Sequence, residues 1–146
     1  LLPSNKFFAP DRVIGGQRKI STDYIYMRVD EFYLLAAEAL AKLGQDAQAK
    51  TIYKKLLKLR YPEATAATDI AYVDALTNAQ LQDDIYLNTR IELWGEGKSY
   101  LAMKRNQKTV TRGTNHLELK NGTFSYDDVK VKFAIPQNET INNLNL

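Results

Sequence analysis

The carboxylates that could do chemistry are Glu92 and Glu96, which lie four residues apart in a segment with helical periodicity. Glycoside hydrolysis uses two carboxyl groups that face each other across a sugar, usually from separate elements. Side chains on consecutive turns of one helix point to the same side instead. Carboxylates in an otherwise apolar helix need cationic partners. The cations that could pair with them are Arg28, Arg90, Lys98 and Arg105. We therefore predict structural ion pairs and no enzymatic activity.

The run Gly95-Glu96-Gly97 has the glycine content of a phosphate-binding loop but not its setting. It follows a helical pattern and not a strand, and no Gly-Lys-Ser/Thr comes after it in the right frame. Each glycine costs a helix about 1 kcal/mol relative to alanine. Two glycines this close together therefore indicate close packing of a neighbouring element, or a kink, more than ligand binding.

Metal, thiol and cofactor chemistry find no support in the composition. Cysteine is absent, and His116 is the single histidine. A metal site or a nucleophilic constellation therefore cannot be assembled around it. The net charge of +3 comes from 20 basic and 17 acidic residues spread along the chain, so we expect no nucleic-acid partner.

Nine tyrosines and one tryptophan suggest stacking on sugars, because aromatic faces pack against apolar surfaces. Most occupy helical positions typical of a core, which include Tyr33, Tyr53, Trp94 and Tyr100. Loops carry ligand contacts more often than cores do. The candidate ligand-binding residues are therefore the aromatics predicted to lie in loops or turns, namely Tyr61, Tyr72, Phe124 and Tyr126.

A helical hairpin at 29–60 is the first element that must position these residues. Residues 1–22 contain prolines and glycines without periodicity and are predicted to be a loop or linker of a truncated, larger chain. Apolar spacing then predicts a helix that ends at Gly44, and a second one from an N-cap at Asp46 to about Arg60. So short a link makes the two helices antiparallel and in contact.

A long helix at 78–105 is predicted next, after a polar stretch with a short helical turn at about 70–75. Thr77 is a plausible N-cap, with Gln80 as its capping-box partner. The apolar residues of this helix fall on more than one face, which predicts that it is buried.

Residues 106–146 are predicted to be long loops with a few short strands that cover the helices. The strands are 117–119 with 123–124 as a hairpin, and 129–133, followed by a loop-like tail from Asn138. The fold class is therefore mostly α.

The hairpin resembles one tetratricopeptide repeat. The small and large residues that carry the resemblance are Tyr33, Ala37, Gly44, Ala49, Tyr53, Leu56 and Pro62. A single repeat cannot bury its own hydrophobic face, so neighbouring helices must come from elsewhere. A tetratricopeptide-type protein–protein interaction module is the alternative functional interpretation.

A second resemblance is more specific. The segment 90–105, RIELWGEGKSYLAMKR, resembles the signature of the SusD/RagB family. The matching scaffold residues are Arg90, Glu92, Gly95, Glu96, Gly97, Lys104 and Arg105. The run Leu34 to Leu40 is similar to the family's "LLLAEAL" helix, and Ile135-Pro136 with Glu139 is similar to its "IP…E" ending.

The SusD/RagB resemblance implies a C-terminal domain at 23–146 of a lipid-anchored protein on the surface of Bacteroidetes-type outer membranes. Such proteins bind oligosaccharides without catalysis and work with a SusC-like TonB-dependent transporter. The family's glycan-contacting aromatics lie mainly upstream of this portion. The resemblance therefore implies that the lipid anchor and most of the ligand contacts lie outside this chain.

Overall fold

The predicted helical hairpin is present in the computed structural model of the chain, which describes residues 26–143 apart from the side chains of 138–140. The predicted linker at 1–22 lies outside the described residues. Helix α1 spans Val29–Lys42 and helix α2 spans Asp46–Lys58. Gly44 has a φ of 73°, the left-handed conformation predicted for the link. The residue that precedes α2 is Gln45, so the prediction of Asp46 as the N-cap is wrong by one position.

The hydrophobic core lies where the hairpin packs against a third long helix, α5, which spans Asn78–Glu92. Each of the three helices contributes side chains to it, namely Leu34 and Ala37, Ala49 and Tyr53, and Leu81 and Ile85. Ala37 and Ala49 allow the two hairpin helices to approach closely. Asp46 helps to fix α5, because its carboxylate accepts a hydrogen bond of 2.6 Å from the Asn78 amide.

Two single-turn helices, α3 at Ala66–Asp69 and α4 at Tyr72–Ala75, connect α2 to α5. They add Ile70 and Val73 to the core, where the sequence predicts a short helical turn. Helix α5 begins with the predicted capping box. The Thr77 side chain accepts a hydrogen bond from the main-chain N–H of Gln80, and the Gln80 side chain accepts one from the main-chain N–H of Thr77.

The prediction of one continuous buried helix at 78–105 is wrong. The helix ends at Glu92 and a shorter helix, α6, spans Lys98–Arg105. Gly95 and Gly97 permit the break, because both adopt left-handed backbone angles, with φ of 78° and 77°, that other residues rarely adopt. A Cβ atom added at Gly97 would meet nothing within 4 Å, so close packing does not explain that glycine. Nor is the segment buried all round, since Ile91, Trp94 and Leu101 are exposed.

The C-terminal cover differs from its prediction in detail. Strands β1 at Val110–Thr111 and β2 at Thr123–Phe124 pair antiparallel, with Val110 opposite Phe124. The predicted partner of β2, 117–119, lies in the connection between the strands, where Leu119 has a positive φ of 50°. The predicted strand at 129–133 is a 3-10 turn at Val129–Val131, and the predicted loop near the end contains helix α7 at Gln137–Asn142.

Candidate functional site: the ion-pair network at the α5–α6 junction

Arg28 precedes α1 and joins the start of the hairpin to the junction between α5 and α6. Its guanidinium donates to a Glu92 carboxylate oxygen at 2.9 Å and to the Glu92 main-chain carbonyl at 2.7 Å. The same group lies 3.1 Å from a Glu96 carboxylate oxygen and donates to Asp30 at 2.8 Å. A planar guanidinium with several fixed donors suits such a task, because it can serve several acceptors at once.

Arg60 approaches the same carboxylate from the end of α2. Its Nε and Nη2 atoms donate to the two oxygens of Glu92 at 2.7 and 2.8 Å, a bidentate arrangement. It also lies 3.2 Å from a carboxylate oxygen of Asp30. The hydrogen bonds from Arg60, and then those from Arg28, lower the pKa of Glu92 despite the partial burial of its carboxylate. Glu92 therefore stays ionised between two arginines.

The cations of α6 hold two glutamates of α1. Lys98 lies 3.2 Å from the buried Glu31, and Arg105 donates to both oxygens of the buried Glu38 at 2.7 and 2.9 Å. Burial alone would raise the pKa of Glu38, but the hydrogen bonds and charge of Arg105 outweigh it and leave that pKa lowered. The short helix is therefore attached to α1 at its first and last residues.

The predicted ion pairs of Glu92 and Glu96 are confirmed, with Arg28 as the shared partner. Two other predicted partners, Lys98 and Arg105, pair with α1 instead. Arg90, the fourth predicted partner, instead lies over the Tyr86 ring, with its guanidinium carbon 5.6 Å from the ring centroid. Arg60 was missed, although an antiparallel hairpin necessarily brings the end of α2 beside the start of α1.

A small recess adjoins the network between α1 and α6. It has a volume of about 60 Å³ and is lined by Glu31, Leu34, Leu35, Thr89, Leu93, Lys98, Leu101 and Arg105. That volume holds a few water molecules, whereas ligand pockets enclose about 300–1,000 Å³. The junction is therefore a packed, electrostatically paired support and offers no room there for a sugar ring.

The C-terminal cover is attached to the outer side of α6. The Tyr100 hydroxyl donates to the Val131 carbonyl at 3.0 Å, and its ring meets the Phe133 ring edge-on at 5.2 Å. The Lys104 ammonium donates to the main-chain carbonyl of Tyr126. Lys104, one of the residues in the signature segment, therefore positions backbone of the cover.

The aromatic side chains are distributed differently from the prediction. Phe124 is only 7% exposed and cannot present a face to a ligand, because β2 directs it inward beside Gly122. Tyr126 is half-buried. Trp94, predicted to be in the core, is 57% exposed, because the break after α5 places it outside the helix. Tyr33, also predicted to be in the core, is 37% exposed on the outer face of α1.

Tyr61 and Tyr72 are the two predicted surface aromatics that remain exposed, at 39% and 41%. The Tyr72 hydroxyl donates to a carboxylate oxygen of Asp84 at 2.9 Å, and the Tyr53 hydroxyl donates to the same oxygen at 2.6 Å. Burial and the Asp84 carboxylate raise the pKa of Tyr72 to about 12, with a smaller contribution from the nearby Tyr61. Tyr61 and Tyr72 thus keep the exposure predicted for them, whereas Phe124 and Tyr126 are more buried than predicted.

Within 26–143, no group of three or more histidine, cysteine or acidic residues is arranged to hold a metal ion. None of the helices in this part of the chain combines the length and apolarity needed to cross a bilayer.

Comparison with curated proteins and with solved structures gives no significant match. The family model described as "SusD family" matches residues 2–145.

Proposed function

Because the chain belongs to the SusD family, we propose that it is part of a non-catalytic glycan-binding protein for nutrient uptake at the bacterial outer-membrane surface. Its partners are an oligosaccharide and a SusC-like TonB-dependent transporter, and a lipid anchor outside this chain attaches it to the cell surface. The observation that carries this proposal is the family match over nearly the whole chain.

The ion pairs at the α5–α6 junction favour a structural role for its carboxylates over a catalytic one. Glu92 is held by two arginines and Glu38 by a third, so these carboxylates are ionised and bound to cations. A general acid needs a protonated carboxyl group near neutral pH, which requires a raised pKa. The pKa values of Glu92 and Glu38 are shifted in the opposite direction. Ion pairs of this kind position α1, α5 and α6 with respect to one another.

The test uses the complete natural protein and soluble polysaccharides in native affinity gels, with amylopectin, xyloglucan, arabinoxylan, galactomannan and chondroitin sulfate as probes. Retarded migration in at least one gel, without release of reducing ends during prolonged incubation, is the expected result. Co-purification with the TonB-dependent transporter encoded beside it tests the partner. Migration unaffected by every probe, together with no transporter in the purified complex, would contradict the proposal.

A second candidate function, protein–protein interaction through a tetratricopeptide-like surface, is favoured by the outer face of α1. Val29 and Phe32 on α1 and Leu43, the residue that follows it, are large apolar residues, and all three are exposed. Exposed apolar faces of this kind mark interaction sites. Phe32→Glu and Leu43→Glu should then abolish co-purification of a protein partner and leave retardation in glycan gels unchanged. The reverse pattern would rule out this candidate.

A further inference from the structure

One tyrosine of α5, Tyr86, has two cations over its ring. The guanidinium carbon of Arg90, four residues further along the same helix, lies 5.6 Å from the ring centroid. The ammonium of Lys108, which follows α6, lies 5.8 Å from the same centroid. Because the face of an aromatic ring attracts cations, Tyr86 holds both groups in one region of the structure.

Arg90 differs from the other arginines between residues 26 and 143 in what its guanidinium contacts. It is exposed, and it makes no hydrogen bond or ion pair with the residues described there. The others each donate to a carboxylate or to a main-chain carbonyl; they are Arg28, Arg60, Arg105 and Arg112. The Tyr86 ring therefore restricts the Arg90 guanidinium while its N–H donors stay available to an acceptor from outside the chain.

Lys108 is only partly neutralised by the protein. Its ammonium pairs with the carboxylate of Asp83 on α5, but the Asp83 side chain is 66% exposed and the Lys108 side chain is 33% exposed. Solvent weakens the attraction within so exposed a pair. Arg90 and Lys108 are thus like charges over one ring, with a single exposed carboxylate to compensate them. An anion that binds to both relieves their mutual repulsion.

The acidic group of a sugar matches these two cations. A carboxylate or a sulfate ester presents two or more oxygens, and a guanidinium can donate to two of them at once in charge-assisted hydrogen bonds. The ammonium of a lysine adds a compact charge that imposes little direction on its partner. Both side chains reach the surface, so a polysaccharide can contact them without entering a cavity.

We propose that Arg90 and Lys108, positioned by the Tyr86 ring, form a subsite for the anionic group of an acidic polysaccharide. Arg90 binds the carboxylate or sulfate through paired hydrogen bonds, and Lys108 adds positive charge. Asp83 opposes binding, because its carboxylate competes with the ligand for Lys108. The choice of a polysaccharide as the ligand rests on the proposed function, whereas the place of the subsite rests on these side chains alone.

The test measures retardation of the complete natural protein in gels that contain chondroitin sulfate, unsulfated chondroitin or one of the neutral polysaccharides named above. Arg90→Gln should weaken binding of the acidic polysaccharides by about tenfold, which corresponds to the loss of one charge-assisted contact, and should leave binding of neutral ones unchanged. Asp83→Asn should strengthen binding of the acidic polysaccharides by about twofold to threefold, because Lys108 is then released from its exposed pair.

Two further variants test the position of the cations. Tyr86→Leu should weaken binding of the acidic polysaccharides, whereas Tyr86→Phe keeps the ring and should bind as well as the unmodified protein. Lys55→Gln is the matched control, since it removes one charge from an exposed residue of α2 that has no ion pair or ring contact with the described part of the chain. A loss that is equal with both chondroitins identifies the bound group as a carboxylate, and a loss confined to the sulfated one identifies a sulfate.

The outcomes separate this subsite from the proposed function. Weaker binding by Arg90→Gln and stronger binding by Asp83→Asn, with unchanged binding by Lys55→Gln, support the subsite. Equal losses by Arg90→Gln and Lys55→Gln reduce the effect to net charge and overturn it. Retardation by neutral polysaccharides alone overturns the subsite and leaves the proposed function standing. Retardation by none also overturns the subsite, and co-purification of the transporter then decides the proposed function.

A protein contact and an unstable variant are distinguished in the same experiments. Loss of the transporter by Arg90→Gln, with unchanged retardation in every gel, assigns the cations to a protein partner and overturns the polysaccharide subsite. If Arg90→Gln unfolds, as judged by circular dichroism, Asp83→Asn decides the matter, because unfolding cannot produce stronger binding.

Discussion

Replacing Arg28 with alanine tests whether the network at the α5–α6 junction stabilises the fold. Arg28 contacts the carboxylates of Asp30, Glu92 and Glu96 and also donates to a main-chain carbonyl. The substitution leaves these acidic groups close together with less positive charge among them. We expect a lower free energy of unfolding, mainly because the carboxylates remain poorly solvated and repel one another.

The magnitude follows from the burial of the group. Loss of one partner from a fully buried ion pair costs about 3–5 kcal/mol, and loss of an exposed pair costs about 0–1 kcal/mol. The Arg28 side chain is 22% exposed, and Arg60 still contacts Glu92 and Asp30 after the change. An intermediate value of about 2 kcal/mol is therefore expected.

Urea unfolding followed by circular dichroism measures this free energy directly. Lys54→Ala is the matched control, because the Lys54–Asp74 pair has a distance of 2.6 Å but an aspartate that is 63% exposed. That control should lose less than about 1 kcal/mol. Arg28→Lys keeps the charge without the planar fork of donors and should give a loss between those of the alanine variant and the control.

The pH dependence provides an independent check. The pKa of Glu92 is lowered in the folded state, so its contribution is present above its ordinary pKa of 4.5 and is lost as the pH falls through the lower, folded value. The stability difference between the unmodified protein and Arg28→Ala should therefore shrink below about pH 4.5. A loss by Arg28→Ala no larger than that of Lys54→Ala, or a difference that is constant from pH 7 to pH 3, would refute this reasoning.

Three further predictions concern a left-handed glycine, a helix cap and the two tyrosines, Tyr53 and Tyr72, that donate to Asp84. Gly97→Ala should cost about 1 kcal/mol in urea unfolding, because its φ of 77° is left-handed, and Gly97→Asn should cost less; equal losses would contradict a conformational origin. Thr77→Ala should cost about 1 kcal/mol in the same assay through loss of the capping box, whereas Thr77→Ser should be nearly neutral; a similar loss by both would exclude the cap as the cause. Burial and Asp84 raise the pKa of Tyr72 to about 12 and also raise that of Tyr53. Their neutral forms stabilise the fold below the ordinary pKa of about 10, so stability should fall from pH 10 to pH 12. The double variant Tyr53→Phe/Tyr72→Phe should show a smaller fall in alkaline urea unfolding, and an unchanged fall would contradict the assignment.

The local parts of the fold could be predicted from the sequence. The hairpin follows from helical spacing on both sides of Gly44, and the start of α5 follows from Thr77 and Gln80. These signals act over a few residues, because a cap or a left-handed glycine satisfies the main-chain hydrogen bonds of its own helix end. The break after Glu92 is different, because two glycines permit a left-handed backbone without requiring it. The ion pairs of Glu92, Glu96 and Lys98 with residues at the start of the hairpin stabilise the broken conformation, and these contacts are not visible in the local sequence.

Contacts between distant segments could not be predicted in the same way. The pairing of β1 with β2 was missed because 110–111 carries a weak strand pattern and its partner is more than ten residues away. Phe124 was expected to be exposed because its position near a turn does not show which side of a two-stranded sheet is covered. Among the candidate ligand-binding aromatics, the exposure of Tyr61 and Tyr72 follows from their predicted positions outside the long helices, but the hydrogen bonds of Tyr72 and Tyr53 to Asp84 join distant segments and required the structure.

The Arg28 contacts also bear on the order in which the protein folds. Glu92 and Glu96 follow Arg28 by 64 and 68 residues, whereas α1 and α2 are joined by a link of a few residues. Contacts between near neighbours form faster than contacts that close long loops. During synthesis, the hairpin can therefore form before the carboxylates of the junction have left the ribosome. The Arg28 contacts therefore form late in folding. A nascent chain interrupted before Glu92 would lack the hydrogen bonds that join the start of α1 to the end of α5.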